Sequence, residues 1–230
     1  MFIYIPFAYA GNPASESGPK AILSYLDKTE LHGTKKLVLQ QNFFESPMQF
    51  LVRVKNVVDQ SIEENDSVVI LGGNHLSIMP VYEYFYIKNS NILTLDAHRD
   101  YYPENEISHA SFFSYITPSE CIHYIVGIRD YIKHDNKHDN IIDLPCGQYP
   151  PSEFLESVDY IDIDLDVLDP ITFSWCGSAL DNGLQLEDVF GLIRKCNKAK
   201  VLSISEYIPI YDNNAEGLEI IRSIILKFLK

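Results

Sequence analysis

Eight short apolar runs, several of them separated by longer segments of helical periodicity, constrain the fold of this chain more than any other feature. The runs are residues 2–6, 37–39, 67–71, 92–95, 124–128, 141–144, 160–164 and 201–204. Their length and their content of Val, Ile, Leu and Tyr predict buried strands. Helical spacing over 48–64, 78–86, 186–196 and 215–229 predicts helices between them. Strands alternating with helices build βαβ units. An α/β fold of three layers is therefore expected, a mostly parallel sheet of roughly eight strands covered by helices on both faces. With 230 residues, 46% of them hydrophobic, the chain can fill one sizeable core, and a single domain over 1–230 is expected.

Open α/β sheets hold ligands at the carboxyl ends of their strands, so chemistry is sought directly after the apolar runs. Three polar clusters stand there. GGNH, Gly72 to His75, follows the run ending at Leu71, and its glycines let the chain turn tightly and present His75. DAHRD follows the run ILTL; a strand period of two would set Asp96, His98 and Asp100 on one side and Ala97 and Arg99 on the other. In YIDIDLDVLDP, Asp162, Asp164 and Asp166 alternate with Ile161, Ile163 and Leu165. Carboxylates one pleat apart in an apolar setting repel one another unless divalent cations offset them. Asp169-Pro170 reads as the turn that ends this strand.

Together the clusters offer two imidazoles, at least four carboxylates and no thiolate. That set suits manganese, with iron, cobalt or zinc as substitutes. So many carboxylates imply two ions, and a pair about 4 Å apart can share a bridging hydroxide acidified to act as a nucleophile. The polar stretch 133–140, with His134 and His138, reads instead as a solvated loop.

The formal net charge of −14 argues against a phosphate-backbone partner, so no nucleic-acid partner is expected, and it suits cationic ligands. No run approaches the length of a membrane span, and the N-terminal MFIYIPFAYAGNP lacks the basic and continuous apolar regions of a signal peptide, so no membrane partner and a cytoplasmic location are expected. Cys121, Cys146, Cys176 and Cys196 are scattered without C-x-x-C pairing and are expected to be free thiols.

GGNH, DAHRD and DIDLDVLDP, in this order, resemble the three signature motifs of the ureohydrolases, the family of arginase, agmatinase and formiminoglutamase. IPF followed by SGPKAI near the start, and SEYIPIYD near the end, extend the likeness over essentially the whole chain. The resemblance implies an arginase-like fold, two Mn2+ per chain, a guanidino or formimino substrate, and homo-oligomers that are trimers or hexamers. It also implies that His75, Asp96, Asp100 and Asp164 hold one ion. Asp96, His98, Asp164 and Asp166 would hold the other, with Asp96 and Asp164 bridging. Asp100 is counted among the catalytic residues as well, together with His109 of SHASFF, which matches a proton-shuttling histidine, and Glu206 of SEYIP, which matches the glutamate that holds the guanidinium.

The chain departs from the family pattern at Asn74, where aspartate is usual, at Leu76, where serine is usual, and at Asp162, where serine is common. Residues 178–183, SALDNG, only loosely resemble the family's Gly-Thr-Pro-rich loop. The eight residues between Asp100 and His109, YYPENEIS, are closer in length to those of agmatinases than of arginases; they carry Glu104 and Glu106 but no Lys or Arg. Carboxylates over the pocket would favour a substrate with a cationic far end and repel an α-carboxylate. Agmatine, hydrolysed to release urea, is the expected substrate. Arg99 and Arg129 keep an acidic substrate, such as formiminoglutamate or guanidinobutyrate, as the runner-up, although strand alternation turns Arg99 away from the ligand face; arginase activity is a further alternative, and a catalytically silent metal-binding subunit is the alternative from a different class.

Overall fold

The computed structural model describes residues 1–102, 105–116, 120–129 and 139–230. Eight strands form one sheet: β1 (Phe2–Ile5), β2 (Lys36–Val38), β3 (Val68–Gly72), β4 (Ile92–Leu95), β5 (His123–Ile128), β6 (Ile141–Pro145), β7 (Tyr160–Asp164) and β8 (Val201–Ser205). Their order is β2-β1-β3-β8-β7-β4-β5-β6. Every pairing is parallel, where the sequence predicted a mostly parallel sheet.

Alternation along the strands divides the interior into two cores. Phe2, Tyr4, Val69 and Leu71 enter one, while Ile3, Ile5, Val68 and Ile70 enter the other. The first core is closed by α1 (Gly18–Leu26), α4 (Ser152–Leu155), α5 (Leu186–Lys195) and α6 (Glu216–Phe228). The second is closed by α2 (Pro47–Glu64) and α3 (Met79–Ile87). The expected three layers follow from this: both faces of a parallel strand must be covered, because both carry apolar side chains. The helix α2 starts sharply because Ser46 and Gln49 form a reciprocal capping box with Pro47 at the first position. Helical periodicity did not mark α4, which is a single turn.

The last strand in the chain, β8, lies in the middle of the sheet, between β3 and β7. The carboxyl ends of β3, β8, β7 and β4 are therefore neighbours, and the loops that leave them share one rim. Among the described residues no helix is long and apolar enough to cross a membrane. All four cysteines are free.

Candidate metal centre

The three polar clusters converge at this rim. Ligand-capable atoms of His75, Asp96, Asp100 and Asp164 lie within 4.8 Å of one another, and those of Asp96, His98 and Asp166 do likewise. Asp96 belongs to both groups. Asp164 falls only in the first, whereas the resemblance places it in both.

The convergence does not come from strand alternation alone. β4 ends at Leu95 and β7 at Asp164, so Asp100 and Asp166 lie beyond their strands, and Asp166 sits in the 3-10 turn Leu165–Val167. Each loop is shaped by its own carboxylates. Asp96 Oδ1 accepts the His98 N–H at 2.7 Å, Asp164 Oδ1 accepts the Asp166 N–H at 3.0 Å, and Asp166 Oδ1 accepts the Ala97 N–H at 3.2 Å. Short Asp side chains that bond the backbone two residues on are ordinary turn formers; here the second oxygen of each carboxylate remains for a ligand.

His75 opens a 3-10 turn (His75–Ile78) directly after β3 and is fully buried. A side chain on Gly73 would collide with the Phe7 carbonyl at 2.2 Å, so the turn depends on glycine there. His75 Nδ1 lies 2.7 Å from Asp100 Oδ2, 3.2 Å from Asp96 Oδ2 and 3.4 Å from Asp164 Oδ2. Its ring packs edge-on against Phe112 at 5.0 Å between centroids, which keeps water from that side. Asp162, read from the sequence as one of three carboxylates on a common face, is one pleat deeper and joins neither group; it meets the opposite ring nitrogen, Nε2, at 2.7 Å.

The electrostatics call for cations. Burial, aided by Asp100 and Asp166, pushes the Asp96 carboxyl up to about 7, and burial with Asp166 and Asp96 raises Asp164 as well. Burial works against charge on His98, yet Asp166 and Asp96 push it up to about 10. Asp96 Oδ2 is buried and makes no hydrogen bond among the described residues. A carboxylate oxygen so placed, in a set of oxygen and nitrogen donors without a thiolate, fits hard or borderline divalent ions.

A family model of the arginase family matches residues 1–229. The chain belongs to the arginase family. It is 25% identical over 212 residues to the agmatinase of Bacillus subtilis (strain 168), covering 81% of this chain and 72% of that protein. In fold it resembles the agmatine ureohydrolase of Thermoplasma volcanium, with a TM-score of 0.81 at 21% identity over 99% of this chain and 87% of that one. The arginase of Bacillus subtilis also superposes with a TM-score of 0.81, at 16% identity over 99% and 97% of the two chains. Family membership sets the enzymatic class: this arginase-family chain is a hydrolase of the ureohydrolase type, in a family that uses a dinuclear metal site.

Beside the arginase-family centre lies a cavity of about 350 Å³, lined by Asn12, His98, Asp100, Tyr102, His109, Ala110, Asp164, Asp166, Gly177, Ser178 and Glu206. His109 Nδ1 meets the Ala10 carbonyl at 2.7 Å. Because a carbonyl only accepts, Nδ1 carries a proton and the chemistry of the ring belongs to Nε2. Glu206 follows β8 with φ +69 and is buried; its Oε1 accepts the His75 N–H at 2.8 Å. Burial pushes its carboxyl up to about 8. Asp100 also has a left-handed φ, +49, and such backbone costs on the order of 1–3 kcal/mol unless the surroundings impose it.

Two expectations, for Glu106 and Arg129, are corrected here, while Arg99, set apart from the ligand side by strand alternation, is engaged elsewhere. Glu106 is exposed and does not line the cavity, so it exerts no close repulsion on a substrate; Glu104, His134 and His138 lie outside the described residues. Arg99 pairs with Asp143 at 2.9 Å. Arg129 donates to the backbone carbonyls of Asp166, Gly127 and Val167 at 2.6, 3.0 and 3.0 Å, bracing the turn that carries Asp166 rather than facing a substrate. The departures from the family pattern also have local reasons. Asn74 Nδ2 donates to the Tyr9 carbonyl at 2.8 Å, which aspartate could not do, and so tethers the loop that supplies the acceptor for His109. Leu76 packs into the core under α2 and α3. Tyr102 and Ser178 belong to the segments 101–108 and 178–183 read from the sequence as pocket loops, whereas Asn12 and Gly177 carry no signal of their own and were missed.

Proposed function

We propose that the chain hydrolyses agmatine, or a similarly decarboxylated guanidine, releasing urea. One observation carries this reading: the described lining of the cavity has no Lys or Arg, the nearby arginines are engaged elsewhere, and with Asp100, Asp164 and Asp166 committed to metal the lining still keeps Glu206 to meet a cation. Such a cavity favours a cation and offers nothing to an α-carboxylate. Comparing kcat/KM for agmatine, arginine, guanidinobutyrate and formiminoglutamate on manganese-loaded protein tests it. Agmatine is expected to lead by roughly 100-fold, the scale on which a buried site rejects a mismatched polar group. Higher efficiency with arginine or with either acid would overturn the assignment.

His75, Asp96, Asp100 and Asp164 would hold one Mn2+, and Asp96, His98 and Asp166 the other, with Asp164 as a second bridge. The ions would polarise the substrate and supply an acidified water as nucleophile at neutral pH. The protein's own groups do the rest. Glu206 pairs with the guanidinium and orients its central carbon toward the rim, and the incoming cation restores its negative charge. His109, with Nδ1 committed to Ala10, uses Nε2 to deliver a proton to the departing amine.

Glu206→Gln keeps the acceptor for the His75 N–H and removes only the charge. A loss of about 2 kcal/mol, or roughly 30-fold in kcat/KM, is expected, carried mainly by KM. Unchanged KM for agmatine would take Glu206 out of substrate binding. The cytoplasmic location and the trimeric or hexameric assembly implied by the resemblance belong to the same proposal.

A further inference from the structure

Beneath the proposed metal ligands runs a line of buried polar groups that the reaction does not use. Thr94, Asp162 and Ser203 are register neighbours on β4, β7 and β8, all turned toward α3. Asp162 accepts hydrogen bonds from the Tyr82 hydroxyl at 2.6 Å and from the Ser203 hydroxyl, which itself receives the Tyr160 hydroxyl at 2.6 Å, and faces His75 Nε2 at 2.7 Å. The bonds behind Tyr82 point the same way. Tyr86 donates to His123 Nδ1 (2.7 Å), His123 Nε2 to Thr94 (2.8 Å), Thr94 to Tyr82 (2.6 Å) and Tyr82 to Asp162. Each hydroxyl has one proton to give, so a chain of this polarity must end on a group that only accepts, and a carboxylate does.

We propose that Asp162 is the positioning residue of the metal centre: it fixes the His75 proton on Nε2, aims the Nδ1 lone pair at the ion and raises the basicity of that ligand. The inference rests on the reading of His75 as a metal ligand. The carboxylate has no role as a ligand itself, since it touches the far side of the ring. Besides His75, its donors come from α3 and β8, so the carboxylate behind the ring is held by the sheet and by the helix packed on it. A serine in this place has one oxygen and no charge, and could neither receive the whole set nor strengthen the imidazole.

The test is binding of Mn2+ alone, followed by electron paramagnetic resonance against free metal concentration, on wild-type protein and on Asp162→Asn. Asparagine can present its oxygen to His75 and Tyr82 and its NH₂ to Ser203, so the fold is retained and the charge is lost. One binding phase, that of the His75 site, is expected to weaken 10- to 100-fold, the usual effect of removing a carboxylate behind a ligating histidine. The other phase, held by Asp96, His98 and Asp166, should stay in place. Two unchanged phases, or two phases weakened equally as a general loss of structure would do, overturn the proposal. Should Asp162→Asn fail to fold, ¹⁵N-histidine spectra of the Zn2+-loaded wild-type protein decide alone: the proton of His75 is expected on Nε2, and a proton on Nδ1 refutes the inference. Absence of Mn2+ binding by wild-type protein would instead remove the metal reading itself.

Discussion

Asp96→Asn is expected to strip both divalent ions from the protein, whereas His98→Ala strips one. Asp96 is the residue common to both ligand groups, and burial together with neighbouring carboxylates already holds its charge at a cost. Asparagine preserves the acceptor for the His98 N–H, so the loop keeps its shape while the bridging charge disappears. Elemental analysis after dialysis against micromolar Mn2+ should read two ions per chain in the parent, one in His98→Ala and none in Asp96→Asn. Retention of two ions by Asp96→Asn, in folded protein, would refute the shared-ligand arrangement. Asp164→Ala extends the test: the first group loses a member outright, and loss of the second ion as well would establish Asp164 as the other bridge.

The second large effect is expected at His109. With Nδ1 given to the Ala10 carbonyl, Nε2 is the nitrogen left to act, and the ring lines the same cavity as Glu206 and Asp166. His109→Ala should lower kcat by ~10²- to 10⁴-fold, the ordinary worth of a placed general acid. Metal content should stay at the parent value, because His109 belongs to neither ligand group. Full turnover at saturating agmatine would exclude it from proton transfer. A variant at Asn74 that cannot donate, Asn74→Asp, should give a milder form of the same defect by loosening Tyr9 and with it the Ala10 acceptor.

Much of this was legible in the chain because periodicity and burial are local signals. The eight runs became eight strands within a residue or two, since both faces of a parallel sheet demand uninterrupted apolar residues. Where the strand ended, period-two reasoning lost its footing. Asp100 and Asp166 reach the centre through turns made by Asp96 and Asp164, and Asp162, still inside β7, stays beneath it. The signal for the buried line was nevertheless present: Thr94 in ILTL, Asp162 in YIDID and Ser203 in VLSIS are polar residues in the middle of apolar strands, and their common face appears only when strand register is known. Arg129 misled for a different reason. An arginine next to a site reads as a substrate clamp, but it carries enough donors to bond Gly127 in the strand it follows and to brace two carbonyls, Asp166 and Val167, of a neighbouring turn.

The central position of β8 bears on how such a molecule comes into being. Until residues 201–205 have left the ribosome, β2-β1-β3 and β7-β4-β5-β6 are two separate ribbons, each with an open edge that only the last strand can close. His75 travels with the first ribbon and the aspartates with the second. Joining them requires Val68 to meet Val201 across more than half of the chain, a late and entropically expensive closure. Metal capture at the His75 group then cannot template early folding, because its ligands lie on both ribbons; Asp96, His98 and Asp166 share the second ribbon, so the full two-ion centre, and not its second half, waits for the last strand.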